Sequence, residues 1–183
     1  MSTLMVRAFV ACELSQEIQK RLAAAQAVLK KSTARLTFVD PALIHITVKF
    51  LGEVDEKKIP QMAAALKSVR VEPYPVQAGR IIVNNPSRPH TVWCVIEDAG
   101  RSQGVFSVVE TVLAPLGFPR EIRGFKPHAT IARVKEADPS LFTYLDELKN
   151  TTGGSCMITG LKLKKSTLTP SGPVYEDLFE VLW

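Results

Sequence analysis

Two of the three histidines stand in matching settings, His45-Ile46-Thr47-Val48 and His128-Ala129-Thr130-Ile131, each reading His-x-Thr-apolar. Side chains alternate along a strand, so in extended chain His45 and Thr47 share one face, as do His128 and Thr130. Ile46, Val48, Ala129 and Ile131 then anchor the opposite faces. An imidazole has an ordinary pKa of about 6.5, so near neutrality one copy can act as a base and another, protonated, as an acid. Cleaving a phosphodiester with water needs both roles, because water loses a proton as it attacks phosphorus and the leaving oxygen gains one. If the motifs face each other across a cleft, two hydroxyls can hold phosphate oxygens while two imidazoles flank phosphorus, with no metal needed. The two motifs are chemically equivalent, so acid and base stay unassigned until the substrate's orientation is known. A single His-x-Thr is commonly structural, and its repetition is what points to chemistry. His90 lies outside the pattern, beside Pro89, and reads as a loop residue.

Several neighbours are candidates for holding substrate. Lys49 has the strand parity of His45 and Thr47, so it either extends a positive surface toward an RNA backbone or is a plain solvated lysine. Arg133 has the opposite parity to His128 and Thr130, which regular alternation aims away from them unless a bulge redirects it. Lys126 precedes Pro127, which restricts the backbone just before the second motif, and its ammonium either attracts RNA or sits on an exposed loop. Phe9 and Phe125 are candidates for base stacking, with core packing the alternative for Phe9. Lys162, Lys164 and Lys165, interleaved with Leu161 and Leu163, read as a half-solvated strand.

These residues need strands and helices to position them. Residues 5–14 read as a buried strand, and Ser15 caps a helix over 16–31 that places Ile18, Leu22, Ala25 and Leu29 on one face. Strands are expected at 36–39 and 44–51, then a helix over 57–69 with Pro60 in its first turn. Strands at 76–83 and 91–97 flank a turn-rich connector, followed by a helix over 102–116, a strand over 125–134 and a helix over 139–148. After a loop holding Gly153 and Gly154, the chain closes with strands at 156–168 and 175–183 around the turn signal 169–173. The expected class is α+β, bilobal, with two mainly antiparallel sheets related by a pseudo-twofold axis, helices outside and residues 1–183 forming a single domain.

The 183 residues are 46% hydrophobic and 22% charged, which excludes disorder and gives enough chain for a sizeable core. A net charge of +5 favours anionic partners only mildly. Three cysteines, Cys12, Cys94 and Cys156, form no CxxC, and an odd count fits a reducing compartment better than secretion. Residues 1–14 lack the pattern of a signal peptide, and no apolar run approaches about 18 residues, so a cytoplasmic protein without a membrane partner or an obligatory protein partner is expected. HExxH, EF-hand, P-loop and GxGxxG patterns do not occur.

The sequence resembles the two-histidine phosphoesterase superfamily, and most closely the RNA 2′,3′-cyclic phosphodiesterases, also described as 2′-5′ RNA ligases. The resemblance runs through RAFVACEL, LIHITVKFLGEV, VWCVIE, LAPLGF, FKPHATIARV and LKKSTLTPSGPVYEDL in that order. It implies a basic central cleft, no metal and no cofactor, and hydrolysis of RNA ends bearing 2′,3′-cyclic phosphate to 2′-phosphomonoesters. It implies His45 as proton donor and His128 as proton acceptor, Thr47 and Thr130 as phosphate ligands, and Arg133, through an HxTxAR pattern, as a further contact. The same residues run backwards would join a cyclic phosphate end to a 5′-hydroxyl. Two alternatives stand beside this reading: a phosphodiesterase for small nucleotide cyclic phosphates, and a non-catalytic RNA-binding module.

Overall fold

The computed structural model describes residues 4–170 and 172–183, so the first three residues of the segment read for a signal peptide and Ser171 of the expected 169–173 turn lie outside the described residues. Strand β1 (Met5–Glu13) turns Val6, Ala8, Val10 and Cys12 into the core. The Ser15 hydroxyl then accepts from Ile18 N at 3.3 Å and starts helix α1 (Gln16–Leu29), which buries Ile18, Leu22, Ala25 and Leu29. Strands β2 (Arg35–Phe38) and β3 (His45–Asp55) follow, separated by a 3₁₀ turn, and helix α2 (Ile59–Lys67) comes next with Pro60 in its first turn. Strands β4 (Tyr74–Val83) and β5 (Thr91–Glu97) form a hairpin ahead of helix α3 (Arg101–Leu113). Pro115 lies in a separate 3₁₀ turn, so α3 stops short of the expected residue 116. The second motif strand, β6 (His128–Glu136), begins only after Pro127, and helix α4 (Pro139–Glu147) follows.

The expected strand over 156–168 is two strands, β7 (Gly154–Ile158) and β8 (Gly160–Thr169), the second paired with β9 (Gly172–Leu182). Only Thr159 separates them, although β7 borders β4 and β8 borders β1. The sheet therefore curls until its far ends converge at this corner, where Trp183 N donates to Thr159 O at 2.9 Å and the Trp183 ring stacks on Tyr74. Gly160 is required there, since a Cβ would stand 2.3 Å from Val181 O.

The class is α+β and the pairing antiparallel throughout, but the strands join in one sheet rather than the two expected, in the order β7-β4-β5-β6-β3-β1-β8-β9 with β2 also on β6. Two four-stranded halves, β3-β1-β8-β9 and β6-β5-β4-β7, meet edge to edge through the single pair Ile46 and Ala129. These are the residues between histidine and threonine in each motif. Farther along, β2 takes over the edge of β6, which leaves β3 only this short junction. Helix α1 packs on β6 and β7, whereas α2 and α3 pack on β9 and β3, so helix contacts tie both sheet halves to both parts of the chain.

Candidate active site

The junction of β3 and β6 builds the site. Antiparallel pairing of Ile46 with Ala129 sets His45 alongside Thr130 and Thr47 alongside His128, while Ile46 and Ala129 point into the core. The two histidines thus occupy one diagonal of a four-cornered arrangement and the two threonines the other. All four line one cleft of about 250 Å³, together with Phe50, Trp93, Arg133 and Tyr175.

Each motif strand carries a bulge just after its threonine. On β3 the pairing steps from Thr47 opposite Ala11 to Lys49 opposite Val10, leaving Val48 as an extra residue. On β6 it steps from Thr130 opposite Trp93 to Ala132 opposite Val92, leaving Ile131 extra. An extra residue reverses the facing of everything beyond it, so two consecutive side chains are buried in each strand: Val48 and Lys49, then Ile131 and Ala132. Phe50 and Arg133 are thereby turned onto the cleft, at equivalent places in the two halves.

Lys49 accordingly does not extend a positive surface, contrary to its strand parity. It is 7% exposed, and its Nζ donates to Glu110 Oε1 on α3 at 2.5 Å and to Pro119 O at 2.9 Å. Lys126 stays exposed on the loop before β6, and what it contributes to the histidine is its backbone carbonyl.

Both imidazoles are held by the same device. His45 Nδ1 donates to Leu43 O at 2.7 Å, and His128 Nδ1 donates to Lys126 O at 2.7 Å. A carbonyl can only accept, so Nδ1 carries the proton in each ring and Nε2 is left for chemistry. His45 Nε2 lies 3.0 Å from Thr47 Oγ1. The Leu43 carbonyl is presented by a 3₁₀ turn over Pro41–Leu43, whose cap, Asp40, accepts from Ala42 N. An aromatic ring from the neighbouring strand stacks on each imidazole, Phe9 on His45 at 5.0 Å and Trp93 on His128 at 3.9 Å. Tyr175 closes on His45 edge-on at 5.6 Å.

Burial lowers the pKa of both histidines below the ordinary value, and the backbone hydrogen bonds to Leu43 and Lys126 pull partly the other way. For His45 the nearby carboxylate of Glu13 also raises it, while Lys164 and His128 lower it. Burial raises the Tyr175 phenol, against lowering by the cations of Arg133, Lys164 and Arg7.

Phe9 is 4% exposed and spends its face on His45, so it offers no open base platform. Phe125 stacks on Phe106 at 4.8 Å beside the cleft, and His90 is exposed, as a loop residue should be. The basic cluster of β8 is neutralised in place: Lys164 pairs with Glu13 and Asp177, Lys162 with Asp177 and Glu180, and Lys165 with Glu176. Trp93, Phe50 and Tyr175 are site residues that the motif reading passed over. Phe50 and Trp93 sit inside strand segments whose cleft-facing side could have been read only with the bulges known, and Tyr175 reaches His45 from the last strand. Among the described residues, no group of three or more His, Cys, Asp and Glu side chains could hold a metal ion.

A doubled sheet that brings one histidine and one threonine from each half to a single cleft is an arrangement suited to phosphate-ester chemistry, the class of a phosphoesterase. The model of the LigT-like phosphoesterase family matches residues 13–94 and 99–175, and the chain belongs to that family. It is 31% identical over 176 residues to an Archaeoglobus fulgidus protein named RNA 2′,3′-cyclic phosphodiesterase, covering 94% of this chain and 98% of that relative. A relative of the same name from Aeropyrum pernix is 35% identical over 147 residues, covering 78% of this chain and 84% of its own. The crystal structure of TT0787 of Thermus thermophilus superposes with a TM-score of 0.82 at 25% identity, covering 96% of this chain and 97% of that one.

Proposed function

We propose that this protein hydrolyses RNA 2′,3′-cyclic phosphate ends to 2′-phosphomonoesters without a metal, using His45 as proton donor and His128 as proton acceptor. The observation that carries the reading is the matched pair of imidazoles, each with Nδ1 committed to a carbonyl and Nε2 left for proton transfer, that of His45 beside the Thr47 hydroxyl, in a cleft that also holds Thr130. The names of the relatives supply the substrate class.

In this mechanism the threonine hydroxyls donate to the non-bridging oxygens of the cyclic phosphate, and the Arg133 guanidinium stabilises the charge that grows on them. His128 Nε2 takes a proton from water as its oxygen bonds to phosphorus. The bond from phosphorus to O3′ breaks, and O3′ takes the proton held on His45 Nε2. The product has a 2′-phosphate and a free 3′-hydroxyl. The imidazoles then exchange protons with solvent and return to their starting states. A 5′-hydroxyl attacking the cyclic phosphate in place of water would give a 2′-5′ linkage with the same roles, His128 Nε2 taking the hydroxyl proton as the new P–O bond forms and His45 Nε2 protonating O3′ as its bond to phosphorus breaks.

Residues 1–183 act as one bilobal domain in this reading, a reading supported by the single sheet that runs through both halves by way of Ile46 and Ala129. The three free cysteines fit a cytoplasmic setting, and among the described residues no helix is long and apolar enough to cross a membrane. Incubation of a short RNA ending in 2′,3′-cyclic phosphate with the protein in excess EDTA, followed by mapping of the terminal phosphate, tests the direction of ring opening. A 2′-phosphate is expected, whereas a 3′-phosphate would keep the histidine pair and reverse the orientation of the substrate between them.

A further inference from the structure

A second compartment of about 250 Å³ adjoins the cleft and shares Thr47, Phe50, Trp93 and His128 with it. Each compartment alone falls below the roughly 300 Å³ at which ligand pockets begin, and together they reach that range. The outer wall of the second one is the irregular segment 118–127 between α3 and β6. Pro127 O accepts from Ile96 N of β5 at 3.1 Å where the segment runs into β6, and nearer its start the buried pair of Lys49 and Glu110 grips it at two points. Lys49 Nζ donates to Pro119 O at 2.9 Å, and Glu110 Oε2 accepts from Glu121 N at 2.9 Å. Phe125, farther along, is held flat against Phe106 with an interplanar angle of 10°.

The compartment is lined by Phe50, Trp93, Phe106 and Phe125, with Arg123 and Lys126 beside them; of the two acids in its wall, Glu110 is paired with Lys49 and Glu121 accepts from Arg123 N. Phe50 is 72% exposed, a large aromatic surface turned to solvent at the boundary of the two spaces. Aromatic faces with adjacent cations are the chemistry that accepts a nucleobase and the phosphate linking it to its neighbour, with little regard to base identity.

The geometry points to a second nucleoside subsite, in which this compartment takes the penultimate nucleoside of an RNA whose terminal cyclic phosphate lies between the histidines. This rests on the RNA-end reading above. Lys126 is well placed to meet the linking phosphate, because its backbone carbonyl already holds His128 and its side chain lines the compartment. Lys49 and Glu110 are positioning residues, acting through the segment that they clamp.

Steady-state hydrolysis of a cyclic mononucleotide and of a dinucleotide with the same cyclic terminus tests the subsite. In the wild-type protein the dinucleotide is expected to have a KM at least about five-fold lower, the lower end of what one stacked base contributes. Gly124→Leu fills the compartment, and a Cβ at Gly124 meets nothing within 4 Å, so the fold should tolerate it. In Gly124→Leu, and separately in Arg123→Ala, the ratio of the two KM values should collapse toward one. Equal KM values in the wild-type protein, or a ratio that survives both substitutions, would overturn the subsite. If the wild-type protein turns over neither substrate, the RNA-end reading has failed, and calorimetric binding of the dinucleotide 2′-phosphate still decides the compartment. Affinity weakened by Gly124→Leu supports it there, and unchanged affinity rejects it.

Discussion

His45 and His128 share one restraint and differ in their covers, since Phe9 and Tyr175 enclose the first while Trp93 alone stacks on the second. Burial lowers both pKa values below about 6.5, so the population holding one proton between them is greatest on the acid side of neutrality. A bell-shaped kcat/KM profile is expected, with its maximum below about pH 6.5 and a decline toward pH 8 as the proton donor is lost. A profile that rises through pH 7 to 8 would contradict this. Thr47→Val and Thr130→Val keep the shape of the side chain and remove a donor to a charged oxygen, so each should lower kcat/KM by roughly 10- to 100-fold, less than loss of either imidazole. The histidine and threonine pairing was legible in the sequence because alternation alone puts those side chains together. Strand parity puts Lys49 and Arg133 on the wrong sides because each lies beyond a bulge, and a bulge is a property of pairing between strands that one strand's sequence does not display.

At the scale of elements, the bulges in β3 and β6 do two jobs: they bring Phe50 and Arg133 to the cleft, and on β3 they send a charged side chain inward to α3. A buried ion pair is costly to form and costlier to break from one side. Lys49→Ala leaves the Glu110 carboxylate buried with its ammonium partner gone, so it should destabilise the fold by about 3–5 kcal/mol in urea titration. The double replacement Lys49→Met with Glu110→Leu should recover most of that loss. A single replacement without measurable cost would show that the pair is not the tether of the 118–127 segment. Most elements were legible from periodicity and caps, as the Ser15 cap and the apolar stripe of α1 illustrate. The break between β7 and β8 was not, since 156–168 reads as one continuous strand and only the curl of the sheet requires the chain to change partners at Thr159.

Across the whole molecule, the curled sheet buries two of the three cysteines in its core. Burial pushes the thiols of Cys12 and Cys94 up to about 12, whereas Cys156 on the edge strand β7 is only half-buried. An aromatic disulfide reagent at pH 8 should therefore titrate one thiol readily and the other two only on unfolding. Rapid reaction of all three would mean that the two sheet halves open far more easily than their shared core implies. The pseudo-twofold relation was legible as a repeated motif, while the joining of both halves into one sheet through Ile46 and Ala129 was not, because it depends on where two distant strand edges meet. The central claim is that the two imidazoles across that junction divide one proton-transfer task. Its most direct test is turnover of a cyclic-phosphate-terminated RNA, in EDTA, by the wild-type protein and by His45→Ala and His128→Ala, with folding of each checked by circular dichroism. Each variant is expected to lose about 100-fold or more of kcat while remaining folded. Near-native turnover by either folded variant would contradict the account.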